Sequence, residues 1–74
     1  MTHERVTRDP KIMMGKPVIK GTRITVELLL RKCAAGMSLA EIIETYPHLT
    51  EADIRAALDY AADYLAHESI LAAE

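Results

Sequence analysis

The sequence predicts a mainly α domain of the helix-turn-helix kind, homeodomain-like or winged-helix-like, with three helices behind a short N-terminal β-hairpin. Three observations predict it. Proline and glycine are concentrated in the first 25 residues, around short β-prone runs. Apolar residues then recur at helical spacing. Two capping boxes, at residues 38–41 and 50–53, mark consecutive helix starts with a short connection between them.

Residues 1–25 are predicted to be extended. Pro10 and Pro17 favour extended geometry in the residue before each of them and cannot donate a ladder hydrogen bond. Two β-prone runs, residues 18–19 and 23–26, flank Gly21, which adopts a positive φ at little cost. This pattern indicates a tight hairpin or a bulged turn around Gly21.

The first helix is predicted to begin at Val26, because Val26, Leu29, Leu30 and Cys33 follow the i, i+3, i+4, i+7 pattern of one helical face. Gly36 is placed to end it. Cys33 is the only cysteine, and its place on the apolar face indicates a packing residue rather than a nucleophile.

The second helix is predicted after Ser38, which forms a capping box with Glu41, and it stops before Pro47. The third helix begins in the same way at Thr50, with Asp53 in place of glutamate, and runs at least to residue 66. Its predicted core stripe consists of Ile54, Ala57, Leu58, Ala61 and Leu65.

A second stripe of the third helix consists of Tyr60, Tyr64, His67 and Leu71. Amphipathic aromatic residues are favoured at protein interfaces. We therefore expect Tyr60, Tyr64 and His67 to face a second copy of the chain or another partner. The alternative is that the two tyrosines simply cover a small core with their hydroxyls in water.

The chain of 74 residues is expected to be a single domain, with the extended segment at 1–25 and a three-helix bundle at 26–74. Domains of this size usually need a disulfide, a metal or a second subunit. One cysteine excludes an internal disulfide, and the spacing of His3, His48 and His67 suggests no metal site or cofactor. A homodimer or higher homo-oligomer is therefore expected.

Short apolar runs and a polar N-terminus indicate no membrane segment or signal peptide and a cytoplasmic location.

Charge is divided unevenly along the chain. Residues 1–36 carry eight basic and three acidic side chains, whereas residues 37–74 carry one basic and eight acidic ones. Such asymmetry suggests two surfaces with different partners, because clustered charge steers association. The alternative is that the clustering is accidental and serves only solubility.

The sequence suggests binding rather than catalysis. It offers no serine, cysteine or threonine beside a base and a third orienting group, so we expect no enzyme.

DNA binding through the third helix is also doubtful, because Glu51 and Asp53 would face phosphates at its start. The basic segment is the better nucleic-acid surface, although it could equally be solvated or meet an acidic protein. The residues expected to bind nucleic acid or a partner are Arg8, Lys16, Lys20, Thr22 and Arg23.

Three runs carry a further signal: DPKIMMGKPVIKGTRI at residues 9–24, AGMS at 35–38 and IIETYPHLT at 42–50. Together they resemble the family catalogued as domain of unknown function 433, over about residues 6–65. Met14 stands where that family more often has glycine. The signature residues that carry over are Gly15, Lys16, Pro17, Gly21, Thr22 and Arg23.

The resemblance implies a bacterial or archaeal helix-turn-helix antitoxin with an N-terminal β element, paired with a PIN-like ribonuclease toxin. It also implies repression of its own promoter, with Lys16 and Arg23 as the residues expected to touch a partner. In one hypothesis the protein is a dimeric DNA-binding regulator, and its acidic helical half, including Asp59 and Asp63, mimics RNA on the toxin. In the alternative it is a protein-interaction adaptor without DNA binding.

Overall fold

The structure is a computed structural model that describes residues 3–72, and side chains for residues 3–67. The predicted class is confirmed: three helices follow a short antiparallel β-hairpin near the N-terminus. The elements in chain order are β1 (Val6–Thr7), a 3-10 turn (Met13–Gly15), β2 (Val18–Ile19), α1 (Val26–Ala34), α2 (Leu39–Thr45) and α3 (Glu51–Ala72).

The strand pairing differs from the predicted one. β2 pairs with β1 in the register Val6↔Ile19, and residues 23–26 contribute only an isolated bridge between Thr25 and Val18. The reason is that Thr25 already caps α1, its hydroxyl accepting from the amide of Leu28 at 3.0 Å, so the chain turns helical where a strand was expected. The predicted turn is present, since Gly21 has a φ of +81° and the amide of Thr22 donates to Ile19.

Local signals define the helix ends as predicted. Helix α1 ends in a Schellman motif, in which the amide of Met37 donates to Lys32 at 3.1 Å and Gly36 has a φ of +97°. Helix α2 begins with the complete Ser38–Glu41 capping box.

Helix α3 begins with the second box: the amide of Thr50 donates to the Asp53 carboxylate at 3.0 Å, and the amide of Asp53 donates to the Thr50 hydroxyl at 3.2 Å. It packs against α1, α2 and β1. The buried core cluster is formed by Val6, Ile19, Val26, Leu29, Ile42, Leu49, Ile54 and Ala57.

The core stripe of α3 is shorter than predicted. Ile54 and Ala57 are fully buried, but Leu58 and Leu65 are 37% and 56% exposed. Leu58 lies at the edge of the stripe, on the side away from the buried Ala57. Leu65 is exposed because of helix length: α3 has 22 residues whereas α1 has nine and α2 has seven. At about 1.5 Å per residue, α3 extends well beyond the helices that cover it. Cys33 is partly buried against the core, consistent with a packing residue.

Within residues 3–72, no helix has both the length and the apolar character that crossing a membrane requires.

Candidate functional site

An apolar groove runs between α1 and α3. Its volume is about 300 Å³. Its lining residues are Arg8, Pro17, Val26, Glu27, Leu30, Tyr60, Ala61, Tyr64 and Leu65. The walls are apolar because Val26 and Leu30 of α1 lie opposite Ala61 and Leu65 of α3. The segment before β2 supplies Arg8 and Pro17 at one side of the groove.

The groove brings together residues that the sequence analysis selected separately. Tyr60 and Tyr64, chosen as interface residues, line it beside Arg8, chosen as a binding cation. Tyr60 is half-buried and packs against the core, whereas Tyr64 is 52% exposed. His67 is exposed and does not line the groove, and its ring nitrogen Nδ1 lies 3.1 Å from the carbonyl of Asp63 in its own helix. The side chain of Leu71 lies outside the described residues.

Glu27 lies at the edge of the groove and is bound by two cations. The Lys16 ammonium donates to one carboxylate oxygen at 3.2 Å, and the Arg31 guanidinium donates to the other at 3.1 Å. Hydrogen bonds from Lys16 and then Arg31 hold the pKa of the Glu27 carboxyl below its ordinary value. Lys16 thus joins the N-terminal segment to α1, so much of its charge is balanced within the chain.

The turn between β2 and α1 presents two cations to solvent. Lys20 and Arg23 are exposed, and within residues 3–67 neither has an ion-pairing partner. Thr22, which lies between them, has a different role. Its hydroxyl donates to the carbonyl of Ile19 at 2.8 Å and accepts from the amide of Ile24 at 2.9 Å, so it stabilises the turn itself.

The first turn of α3 has its carboxylates engaged. Glu51 accepts from Arg55 at 2.7 Å, and Asp53 accepts from Arg5 at 3.0 Å besides closing the capping box. Burial by itself raises the pKa of Asp53. Hydrogen bonds from Thr50 and Arg5 lower the pKa by more than burial raises it, so the net pKa lies below its ordinary value. This helix start, whose docking into a DNA groove the sequence already made doubtful, thus carries carboxylates bound to its own fold.

Sequence reasoning missed a cluster on the face of α3 that meets the N-terminus. His3 Nε2 lies 2.8 Å from the Asp63 carboxylate, and His3 Nδ1 lies 3.9 Å from that of Asp59. The imidazole also meets the ring of Tyr60 edge-on, at 5.3 Å between centroids. The i, i+4 spacing of the two aspartates was a visible signal, but a histidine 60 residues away was not.

Comparison with known proteins places this fold in a family. The family described as "Protein of unknown function (DUF433)" matches residues 6–61, which include both strands, α1, α2 and the tyrosine Tyr60 of the groove. The chain belongs to the DUF433 family. The predicted membership is therefore confirmed.

Two relatives of this DUF433 chain are both described as uncharacterized. The protein y4eO of Sinorhizobium fredii is 41% identical over 58 residues, which cover 78% of this chain and 26% of that protein. A protein of Archaeoglobus fulgidus is 61% identical over 28 residues, covering 38% of this chain and 78% of that protein. The chain thus spans about a quarter of y4eO. No solved structure matches the chain significantly.

Proposed function

We propose that this DUF433 protein is a binding module of the antitoxin type, whose α1–α3 groove takes an apolar segment of a PIN-like ribonuclease. The observation that carries the proposal is the groove itself, with Tyr64 and Leu65 both more than half exposed beside it. Exposed apolar clefts with aromatic anchors are favoured at protein interfaces. In this proposal the α2–α3 pair is a helix-turn-helix in architecture only, and the protein works in the cytoplasm together with the nuclease.

Charge supports the same partner. Residues 37–74 carry eight acidic side chains against one basic side chain. A ribonuclease must present a basic surface to bind RNA, so an acidic partner is attracted to the same surface. Asp59 and Asp63, the residues expected to mimic RNA, lie beside His3. Reversing their charge therefore disturbs the N-terminal contact as well, and groove substitutions give a cleaner test.

The test measures affinity for a PIN-like ribonuclease and inhibition of its RNA cleavage. Replacing Tyr64 with alanine is expected to weaken binding roughly tenfold or more, because a half-exposed aromatic anchor is lost. Leu58→Ala is the matched control, since Leu58 is an exposed apolar residue of the same helix that does not line the groove, and it should bind as the natural chain does. Unchanged affinity in Tyr64→Ala would overturn the assignment of the groove.

A second copy of the chain is the rival occupant of the groove. Light scattering of the free protein and of Tyr64→Ala distinguishes the two occupants. A dimer that dissociates in Tyr64→Ala, with no ribonuclease bound by either protein, would assign the groove to self-association.

Promoter DNA is the second candidate partner, because Lys20 and Arg23 are exposed and unpaired among the described side chains. Fluorescence anisotropy with the gene's own upstream duplex and a scrambled duplex, at two salt concentrations, tests it. Sequence-preferring binding that weakens with salt, and weakens further in Lys20→Ala and Arg23→Ala, is the expected result. Equal weak binding to both duplexes, with toxin binding retained, would favour the adaptor, which the engaged carboxylates of α3 also favour.

A further inference from the structure

We propose that His3, Asp59 and Asp63 form a Zn²⁺ site that fastens the N-terminal segment to α3. One ligand atom from each residue lies within 4.8 Å of the others. Tetrahedral Zn²⁺ with one nitrogen and two oxygen ligands holds those atoms about 3.4 Å apart. Ion binding requires the Asp63 oxygen to move from 2.8 Å to about that distance from His3 Nε2, and the exposed Asp59 carboxylate to turn from His3 Nδ1 toward the same nitrogen.

The cluster carries an excess of negative charge. Two carboxylates face one imidazole, and within residues 3–67 neither aspartate is paired with a lysine or an arginine. A divalent cation balances this pair of carboxylates, whereas a protonated imidazole balances only one of them. The inclusion of an imidazole favours zinc over magnesium or calcium, which prefer sets made only of oxygen ligands.

The site is also held in place before any ion arrives. Asp59 and Asp63 are one turn apart on a continuous helix, so both carboxylates project from the same face. The His3 side chain is only 13% exposed, and its ring packs edge-on against Tyr60. Three protein ligands leave the fourth position of a tetrahedral ion for water or for a group from a partner.

This site has a structural consequence for the groove. Tyr60, which supports the His3 ring, also lines the α1–α3 groove. Zn²⁺ bound at His3 therefore fixes the N-terminal segment against the same tyrosine that a partner meets. Zinc at this site neutralises the two carboxylates expected to mimic RNA, so the site is tested with zinc alone and not through ribonuclease binding.

The experiment titrates Zn²⁺ into the full chain without a polyhistidine tag, at neutral to slightly alkaline pH, by calorimetry. We expect one zinc per chain, with binding weakened roughly tenfold or more in His3→Ala and in Asp63→Asn. His48→Ala and His67→Ala are matched controls, because each removes an imidazole elsewhere, and both should bind as the natural chain does. Circular dichroism confirms that every variant is folded.

Nuclear magnetic resonance of the histidine rings gives a second readout. Zinc should shift the His3 ring signals and leave those of His48 and His67 in place, and chelation should reverse the shift. Zinc binding that is unchanged in His3→Ala, an unshifted His3 ring, or equal affinity for Mg²⁺ would each overturn the site. Because none of these measurements involves ribonuclease or DNA, failure here is distinct from failure of the proposed function.

Discussion

The guanidinium of Arg5 lies 3.0 Å from the carboxylate of Asp53, which joins the residue before β1 to the first turn of α3. The same carboxylate accepts from the amide of Thr50 and so closes the capping box. One side chain thus both starts the longest helix and holds the N-terminal segment beside it. Asp53 is only 13% exposed, so these bonds are partly shielded from water.

Asp53→Ala should lower the free energy of unfolding by about 1 to 2 kcal/mol, because a helix cap and a charge-assisted bond are lost together. Arg5→Ala should cost less, about 0.5 kcal/mol, since more than half of that side chain is exposed to solvent. Urea unfolding of both variants and of the double variant measures the coupling. Strictly additive losses would show that the Arg5–Asp53 contact contributes nothing to stability.

The lowered pKa of Asp53 predicts a loss of stability in acid. Its folded-state pKa lies below the ordinary value of about 3.9. The ionised carboxylate therefore stabilises the fold at neutral pH, and that stabilisation is lost as the pH falls from about 4 through the folded-state pKa. The lowered pKa values of Glu27 and Glu41 act in the same direction.

Urea unfolding at a series of pH values, from about 7 to about 3, measures this dependence. Asp53→Asn should lose less stability across the acid range than the natural chain, because its amide does not titrate. An identical pH dependence in the two proteins would contradict the prediction.

Met14→Gly should stabilise the fold. Met14 has a φ of +58° and is 88% exposed, so it adopts a left-handed conformation without any packing in return. That conformation costs a side-chain-bearing residue about 1 to 2 kcal/mol, and glycine loses about 0.5 to 1 kcal/mol in backbone entropy. A gain of about 0.5 kcal/mol in thermal or urea unfolding is expected. The control is Lys20→Gly, an exposed site without a positive φ, which should destabilise.

The residues around the Gly21 turn should separate into structural and binding groups. Thr22→Val removes both hydroxyl bonds of the turn and should cost about 1 kcal/mol of stability. Lys20→Ala should change stability by less than about 0.5 kcal/mol, because its side chain is exposed. Chemical unfolding gives the comparison. A large destabilisation by Lys20→Ala would assign that residue to the fold rather than to a partner.

Substitutions should distinguish the buried from the exposed residues of the core stripe of α3. Ile54→Val should cost about 1 kcal/mol, because Ile54 is fully buried. Leu65→Ala removes more carbon atoms but should cost less, about 0.5 kcal/mol at most, since Leu65 is 56% exposed. Comparing the two unfolding midpoints checks this. The reverse order would show that the distal half of α3 is covered in the free protein.

The features that were predicted correctly all depend on residues that lie close together in the sequence. Each capping box involves residues three apart, and the end of α1 depends on Gly36 and its immediate neighbours. Helical spacing also placed Tyr60 and Tyr64 on a common stripe, and both line the groove. Local hydrogen bonds and side-chain periodicity can be read from neighbouring residues because they arise between neighbouring residues.

The sequence by itself therefore determined the mainly helical class, the helix starts and the Gly21 turn. Tertiary structure alone decided that β2 pairs with Val6–Thr7, that Leu58 and Leu65 are exposed, and that His3 contacts Asp63. The last contact spans 60 residues, and the Arg5–Asp53 pair spans 48. Such contacts follow from how β1 and the three helices pack around one core. No spacing along the chain encodes that packing.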